Sequence, residues 1–269
     1  MSDFAGKNVL ITGAASGIGR LMAIRAGAEG ARLVLWDVNP QGLAATAAEL
    51  EKQGRKVATY VCNLTDRRAI ADAASRTLQE TGPVDILINN AGVVSGKALL
   101  EASEDDIQRT FDVNVLALFW TTRAFLPAML ERGSGHIVTI ASAAGIVGTS
   151  RLIDYCASKH AAVGFDEALR LELKREGSKV LTTVVCPFYI STGMFEGVKT
   201  RFPLLLPILK PERVADRIID AIRKNRRRVI LPRFVYTTWI ARLLPIPAFD
   251  AMMEFFGVNK SMDEFTGRH

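Results

Sequence analysis

The chain holds 269 residues, 49% of them hydrophobic, enough to bury one sizeable core and expected to form a single domain over 1–269. Its net charge of +6 is uneven: residues 201–233 carry ten basic residues and three acids, and the remainder sums to −1. No aromatic-basic interleaving or reader motif accompanies that segment, which argues against nucleic acid as a partner, and three scattered cysteines (Cys62, Cys156, Cys186) with three scattered histidines (His136, His160, His269) argue against a disulfide framework or a metal site.

No signal peptide precedes the first strand, and no stretch of about twenty apolar residues is evident, so a cytoplasmic protein is expected.

In chain order, Asn8 to Ile11 is a short apolar run of strand type, and Arg20 to Gly30 an alanine-rich helical stretch. Arg32 to Trp36 is a second strand and Val57 to Cys62 a third, followed by a helix from about Asp66 to Thr81. Val84 to Ile88 is a fourth strand, and Ile107 to Leu130 a long helix interrupted late by Pro127. His136 to Ile140 is a fifth strand, Ile153 to Lys174 a helix, and Val180 to Val185 a sixth strand. Arg213 to Lys224 reads as helix and Val229 to Leu231 as a seventh strand. Such alternation predicts an α/β fold: a Rossmann-like, doubly wound sheet of about seven parallel strands, with helices on both faces. Ligands of that architecture sit beyond the carboxyl ends of the strands.

The residues at those ends carry the functional signal. Thr12-Gly13-Ala14-Ala15-Ser16-Gly17-Ile18-Gly19 joins the first strand to the first helix. Gly13 permits a tight turn, while Gly17 and Gly19 leave room for a pyrophosphate at the positive helix end. Asp37 closes the second strand, eighteen residues beyond Gly19. A carboxylate there accepts hydrogen bonds from the adenosine ribose of NAD and repels the extra phosphate of NADP. A plain turn acid is the alternative. Asn89-Asn90-Ala91-Gly92 follows the fourth strand, Ser142 the fifth, and Pro187 to Thr192 the sixth; Asn114 lies inside the long helix, where asparagine asks for a reason.

Tyr155 and Lys159 stand four residues apart on one helical face. A free tyrosine loses its proton near pH ~10, and a neighbouring cation lowers that value towards the working range. Each of these signals is weak alone.

Together they resemble the short-chain dehydrogenases/reductases, in the subgroup with the TGxxxGxG turn. The resemblance covers roughly residues 5 to 195, with Thr12 to Gly19 as the turn, Asn89 to Gly92 as the NNAG motif, and Asn114, Ser142, Tyr155 and Lys159 as the catalytic tetrad. It implies that Tyr155 is the general base in oxidation and the general acid in reduction. Lys159 would lower its pKa and hold the nicotinamide ribose, Ser142 would bind the substrate oxygen, and Asn114 would hold a water linking Lys159 to solvent. The implied dinucleotide contacts are Gly13, Ser16, Gly17, Ile18, Gly19, Asp37, Asn63, Leu64, Asn90, Ala91, Gly92, Tyr155, Lys159, Pro187, Ile190 and Thr192, with Thr192 on the nicotinamide carboxamide. Asn63 stands where the family usually has Asp, and its carbonyl oxygen is expected to accept the adenine amino hydrogen.

The sequence from Cys186 to Pro207, with Phe188 after Pro187, is similar to the retinol dehydrogenases and the lipid-droplet 17β-hydroxysteroid dehydrogenases. Phe249 to Phe265 is similar to the same branch, whose members generally carry an N-terminal hydrophobic anchor; none is expected here. Residues 190–269 are expected to form a substrate lid and C-terminal extension, with Met194 and Phe195 among the substrate contacts beside Ser142 and Tyr155. The expected substrate is an apolar alcohol or ketone, retinoid, steroid or long-chain. Reduction of small polar ketones and a non-catalytic NAD(H)-binding sensor are the alternatives. Basic residues beside Phe234 to Ile240 suit the surface of an anionic membrane, contacted through residues 223–246. The resemblance also implies a homodimer or homotetramer.

Overall fold

A computed structural model describes residues 3–267. Seven parallel strands lie in the order β3-β2-β1-β4-β5-β6-β7. They are β1 (Asn8–Thr12), β2 (Arg32–Asp37), β3 (Val57–Val61), β4 (Ile86–Asn89), β5 (His136–Ile140), β6 (Leu181–Pro187) and β7 (Arg228–Leu231). The order reverses between β1 and β4, with Ile11 paired to Ile88 and Thr12 to Trp36. That is the point where a doubly wound sheet opens a crevice.

Alternate strand residues feed two cores. Val9, Ile11, Leu33, Leu35, Ile88 and Val185 face α1 (Gly17–Ala28), α2 (Pro40–Lys52) and α7 (Pro211–Arg223). Leu10, Val34, Trp36, Leu87 and Ile137 face α3 (Arg67–Thr81), α5 (Ala117–Glu131) and α6 (Ile153–Arg175). Trp36 is fully buried there, its indole N–H donating to Thr77 Oγ1 at 3.1 Å. Two short helices, α8 (Thr238–Ala241) and α9 (Ile246–Phe255), follow β7 and have no counterpart in the expected order.

The long helix differs from expectation at both ends. It begins earlier, as α4 (Glu104–Phe111), because Ser103 and Asp106 form a reciprocal capping box. It does not break at Pro127, which lies inside α5. Pro127 and Arg123, whose carbonyl loses its partner, both lie on the exposed face, where water can satisfy that group. The interruption comes instead at Asp112–Leu116, a π-helical turn in which Ala117 N donates to Asp112 O. The whole helix, Glu104–Glu131, is long and apolar enough to cross a membrane by length and composition, contrary to the expectation of no such stretch. In the fold its buried face, including Phe125 and Met129, packs into the core.

Cys62, Cys156 and Cys186 are free and buried; burial pushes the Cys62 and Cys186 thiols up to about 12. His136 pairs with Thr183 Oγ1 at 2.8 Å and burial lowers it to about 4. His160 pairs with Cys156 O at 2.8 Å, and His269 lies outside the described residues. Among the described residues no group of three His, Cys, Asp or Glu side chains is arranged to hold a metal ion.

Candidate active site

At the crevice, β1 turns into α1 through Gly13 at φ +67°. A Cβ there would stand 2.9 Å from Ala91 Cα, and one at Gly19 only 2.0 Å from Gly13 O. Larger residues cannot occupy this turn without moving backbone. Thr12 Oγ1 accepts from Asn90 N and Ala91 N at 2.9 and 3.0 Å. Asn90 Nδ2 donates back to Thr12 O at 2.8 Å and Gly13 O at 3.2 Å. Asn90 therefore borders the cleft with its side chain engaged in bracing the glycine turn. Ser16, the N-cap of α1, lines the cleft with Gly17, Ile18 and Gly19, so the helix N-terminus, whose first amides have no intrahelical partners, borders it.

Asp37 closes β2 with both oxygens anchored: Oδ2 accepts from Ala15 N and Oδ1 from Asn39 N, each at 2.9 Å. Each oxygen keeps a second lone pair for a ligand hydroxyl. Asn63 lies beside it, beyond the end of β3. Its Oδ1 accepts from Thr65 N at 3.1 Å and from Thr65 Oγ1 at 3.0 Å. This corrects the expectation for Asn63: the carbonyl oxygen meant for the adenine amino group is taken by an Asx-type turn.

At the other end, α6 carries Tyr155 and Lys159, only 5% and 4% exposed. Asp154 fixes the start of this helix, its Oδ1 accepting from Tyr155 N at 2.8 Å and its Oδ2 from Thr110 Oγ1 at 2.9 Å. Lys159 Nζ donates to Ile140 O at 2.9 Å and stands 5.6 Å from the centre of the Tyr155 ring. Ser142, just past β5, accepts from Ala144 N at 3.1 Å, which aims its hydroxyl. Burial raises the Tyr155 phenol well above its ordinary value, with the Ser142 hydrogen bond pulling the other way, and burial lowers the Lys159 ammonium to about 8. The net shift of the phenol runs opposite to the expected depression by Lys159 because burial dominates. Both groups are withdrawn from water, which penalises each charged form.

Asn114 sits in the π-helical turn and is buried. Its Oδ1 accepts from Val93 N and its Nδ2 donates to Val93 O, both at 2.9 Å, with Ser158 Oγ at 3.0 Å. The side chain holds the loop after β4 against α6, and Oδ1, which accepts one bond, keeps a second lone pair for the expected bridging water. A Cβ on Gly92 would lie 3.3 Å from Asn114 Oδ1 and 3.5 Å from Lys159 Nζ, so only the smallest residue suits this approach.

One cleft of about 770 Å³ joins these parts. Gly13, Ser16, Gly17, Ile18, Gly19, Asp37, Asn63, Leu64, Asn90, Ala91 and Gly92 line one end. Ser142, Tyr155, Lys159, Pro187, Ile190 and Thr192 line the middle, and Met194 and Phe195 lie further in. Of the expected site residues only Asn114 does not border it. Glycine-walled at the open helix end, with a fixed carboxylate beside it, the cleft suits a dinucleotide.

The same cleft is lined by an apolar set that forms its hydrocarbon chamber, Val147, Leu152, Phe188, Leu206, Phe234, Val235, Met252, Met253 and Phe256, and also by the polar Asp105, Gln108, Arg109 and Asp112. The residues from β7 onward were expected as part of the lid and C-terminal extension, though none of them was named as a substrate contact. Phe195 meets the Tyr155 ring edge-on at 5.5 Å and Tyr189 at 5.1 Å. The C-terminal segment closes over them: Tyr189 Oη pairs with Ser261 Oγ at 2.9 Å, and Thr266 N donates to Glu196 O at 3.0 Å. Phe265 crosses Gly96 so closely that a Cβ there would lie 1.9 Å from its ring.

The short chain dehydrogenase family model matches residues 7–201. Short-chain dehydrogenase/reductase family 16C member 6 of Bos taurus is 46% identical over 99% of this chain and 85% of its own length. Epidermal retinol dehydrogenase 2 of Mus musculus is 43% identical over 99% and 87%. Among solved structures, a short chain dehydrogenase/reductase from Burkholderia phymatum in complex with NAD aligns with a TM-score of 0.81 at 31% identity, covering 90% of this chain and 95% of that one. A metagenomic short-chain oxidoreductase in complex with NADP aligns at 0.71 and 28% identity, covering 86% and 98%.

Proposed function

The chain belongs to the short-chain dehydrogenase/reductase family and is an oxidoreductase that uses a nicotinamide dinucleotide; on that premise we propose that its cofactor is NAD and its substrate an apolar alcohol or ketone of retinoid, steroid or long-chain type. The observation that carries this reading is that Tyr155 and the apolar chamber share one cleft. Ser142 and Tyr155 are the polar groups at its inner end, so an alcohol entering oxygen-first meets them and leaves its hydrocarbon among Phe188, Leu206, Phe234 and Met252.

When bound, NAD supplies the hydride acceptor, and the positive charge of its oxidised ring favours a phenolate nearby. The protein's part is proton transfer and positioning. In oxidation Tyr155 Oη takes the alcohol proton; in reduction it returns one. Ser142 Oγ hydrogen-bonds the same substrate oxygen and stabilises charge developing on it. Lys159, held by Ile140 O, keeps a buried ammonium beside the phenol. Asn114 acts on this reading through position, fixing Val93 and Ser158 around Lys159. Residues 190–269 are the lid and back wall of the chamber.

A panel of retinoid, steroid and long-chain alcohols, with small polar ketones as comparison, is expected to show NADH-linked turnover with the apolar members. Turnover confined to the polar ketones would remove the substrate reading. The wall of the chamber is what disfavours that rival.

The same reading proposes contact with an anionic membrane. Ile240, Leu243 and Ile246, on and between α8 and α9, are 72%, 84% and 76% exposed, with Arg226 and Arg227 near the same surface in sequence. Apolar side chains flanked by cations suit a bilayer interface. Vesicles containing phosphatidylserine are expected to sediment the protein at low salt and release part of it at high salt; no sedimentation at either would dismiss the contact. Exposed Leu116, Phe119, Leu130, Ile153 and Leu171 on the long helix and α6 support a homodimer or homotetramer through those helices. A reducing, cytoplasmic setting is proposed with the free thiols in mind.

A further inference from the structure

We infer that this protein reads the purine of its cofactor with a hydrogen-bond donor at Asn63, and therefore accepts a 6-oxopurine dinucleotide at least as well as the 6-aminopurine one. The inference rests on the dinucleotide reading of the cleft.

Placement comes first. β2 and β3 are adjacent and in parallel register, Asp37 opposite Val61, and Cys62 N donates to Asp37 O at 2.9 Å. Asn63 thus stands one strand outward from the carboxylate assigned to the adenosine ribose, and it lines the same cleft. A base attached to that ribose and directed away from the glycine turn passes the edge of Asn63.

Chemistry decides what it meets. Thr65 N–H can only donate, so the Asn63 atom facing it at 3.1 Å must be the oxygen; the flipped amide would set donor against donor. The Thr65 hydroxyl lies 3.0 Å from that oxygen too, so both its lone pairs are engaged. The group left for a ligand is Nδ2, a donor without an acceptor capacity. An aspartate in this turn would cap Thr65 with one oxygen and keep the other as a free acceptor. Exchange of Asp for Asn at this position therefore inverts the polarity offered to the base edge rather than weakening one bond. At C6 adenine presents an amino donor and hypoxanthine an oxo acceptor, so a donor aimed at C6 matches hypoxanthine, while one aimed at N1 would match adenine.

The test is binding of NAD and of nicotinamide hypoxanthine dinucleotide, by isothermal titration calorimetry, to the wild type, Asn63→Asp and Asn63→Ser. Serine keeps an oxygen for Thr65 N and replaces the amide donor by a shorter hydroxyl that can either donate or accept. The wild type is expected to bind the hypoxanthine form as tightly as NAD or more so. Asn63→Asp is expected to move the ratio about tenfold towards NAD, and Asn63→Ser to fall between. A wild type that prefers NAD as strongly as Asn63→Asp overturns the inference, as does a ratio that neither substitution moves. The wild-type ratio decides even if a variant fails to fold. Binding of neither dinucleotide to folded wild type overturns the cofactor reading itself, and this inference with it.

Discussion

Replacing Tyr155 by Phe is expected to lower turnover about 10³-fold, within the range that general acid–base catalysis supplies, while dinucleotide affinity stays within a few-fold. The substitution removes one oxygen and leaves the ring, which packs edge-on against Phe195 at 5.5 Å and stays buried. Ser142 and Lys159 keep their own backbone partners, Ala144 N and Ile140 O, so neither loses its anchor. What disappears is the group that exchanges a proton with the substrate oxygen. The pH profile carries a second signature. Burial holds the phenol above its ordinary value, so oxidation by the wild type should climb as pH rises and more phenolate forms. Reduction needs the protonated phenol and should hold over the same interval. The residual oxidation by Tyr155→Phe should lack the rising limb. Initial rates from pH 6 to 10, with NADH fluorescence titration for binding, check all three parts. A variant that keeps a tenth of wild-type turnover would take Tyr155 out of the chemistry. Absence of turnover in a wild type that binds NAD would favour the sensor.

The parts visible in the sequence are those whose signal is local. β1, β2 and β5 are short apolar runs bounded by turn residues, and burial on both faces explains their lack of alternation. The glycine turn is legible because backbone approaches such as Gly19 against Gly13 O tolerate no side chain. Features that depend on a partner elsewhere were hidden. The π-helical turn at Asp112–Leu116 has no residue signature, and only the fold shows Asn114 clamped to Val93. Asn63 could be placed beyond β3 from its sequence, but its oxygen is taken by Thr65 only in the turn's geometry. The direction of the Tyr155 shift was missed for the same reason. Helical spacing puts a cation near the phenol, but whether the pair keeps water is a property of the packed lid. That lid includes α8 and α9, four and ten residues long, too short for a periodic pattern to stand out.

Substituting Asp37 by Ala is expected to reduce a wild-type preference for NAD over NADP of about 10² to less than about 10, by strengthening NADP and weakening NAD together. The carboxylate sits at the end of β2 with Oδ2 on Ala15 N and Oδ1 on Asn39 N, which pins a negative charge where the ribose hydroxyls are expected. A phosphate carrying up to two negative charges within ~4 Å meets a repulsion of several kcal/mol at an effective dielectric near 20, enough for a hundredfold bias after screening. The neighbours offer the phosphate nothing in return: Val38 is apolar and exposed, and Arg20 is paired with Glu49. Removing the charge relieves that repulsion without creating a site, so NADP should gain most of the factor the repulsion imposed. NAD loses its ribose acceptor and, with Ala15 and Asn39 released, part of the rigidity of the turn. Asp37→Asn separates these effects, since the amide oxygen can keep one backbone contact while the charge is gone. If charge dominates, Asn and Ala should relax the preference alike. If ribose hydrogen bonding dominates, Asn should retain more NAD affinity than Ala. Adding Val38→Arg to Asp37→Ala should then bring NADP level with NAD or ahead of it. Dissociation constants for both dinucleotides across the four proteins test this, and a wild type already favouring NADP would refute the role given to Asp37.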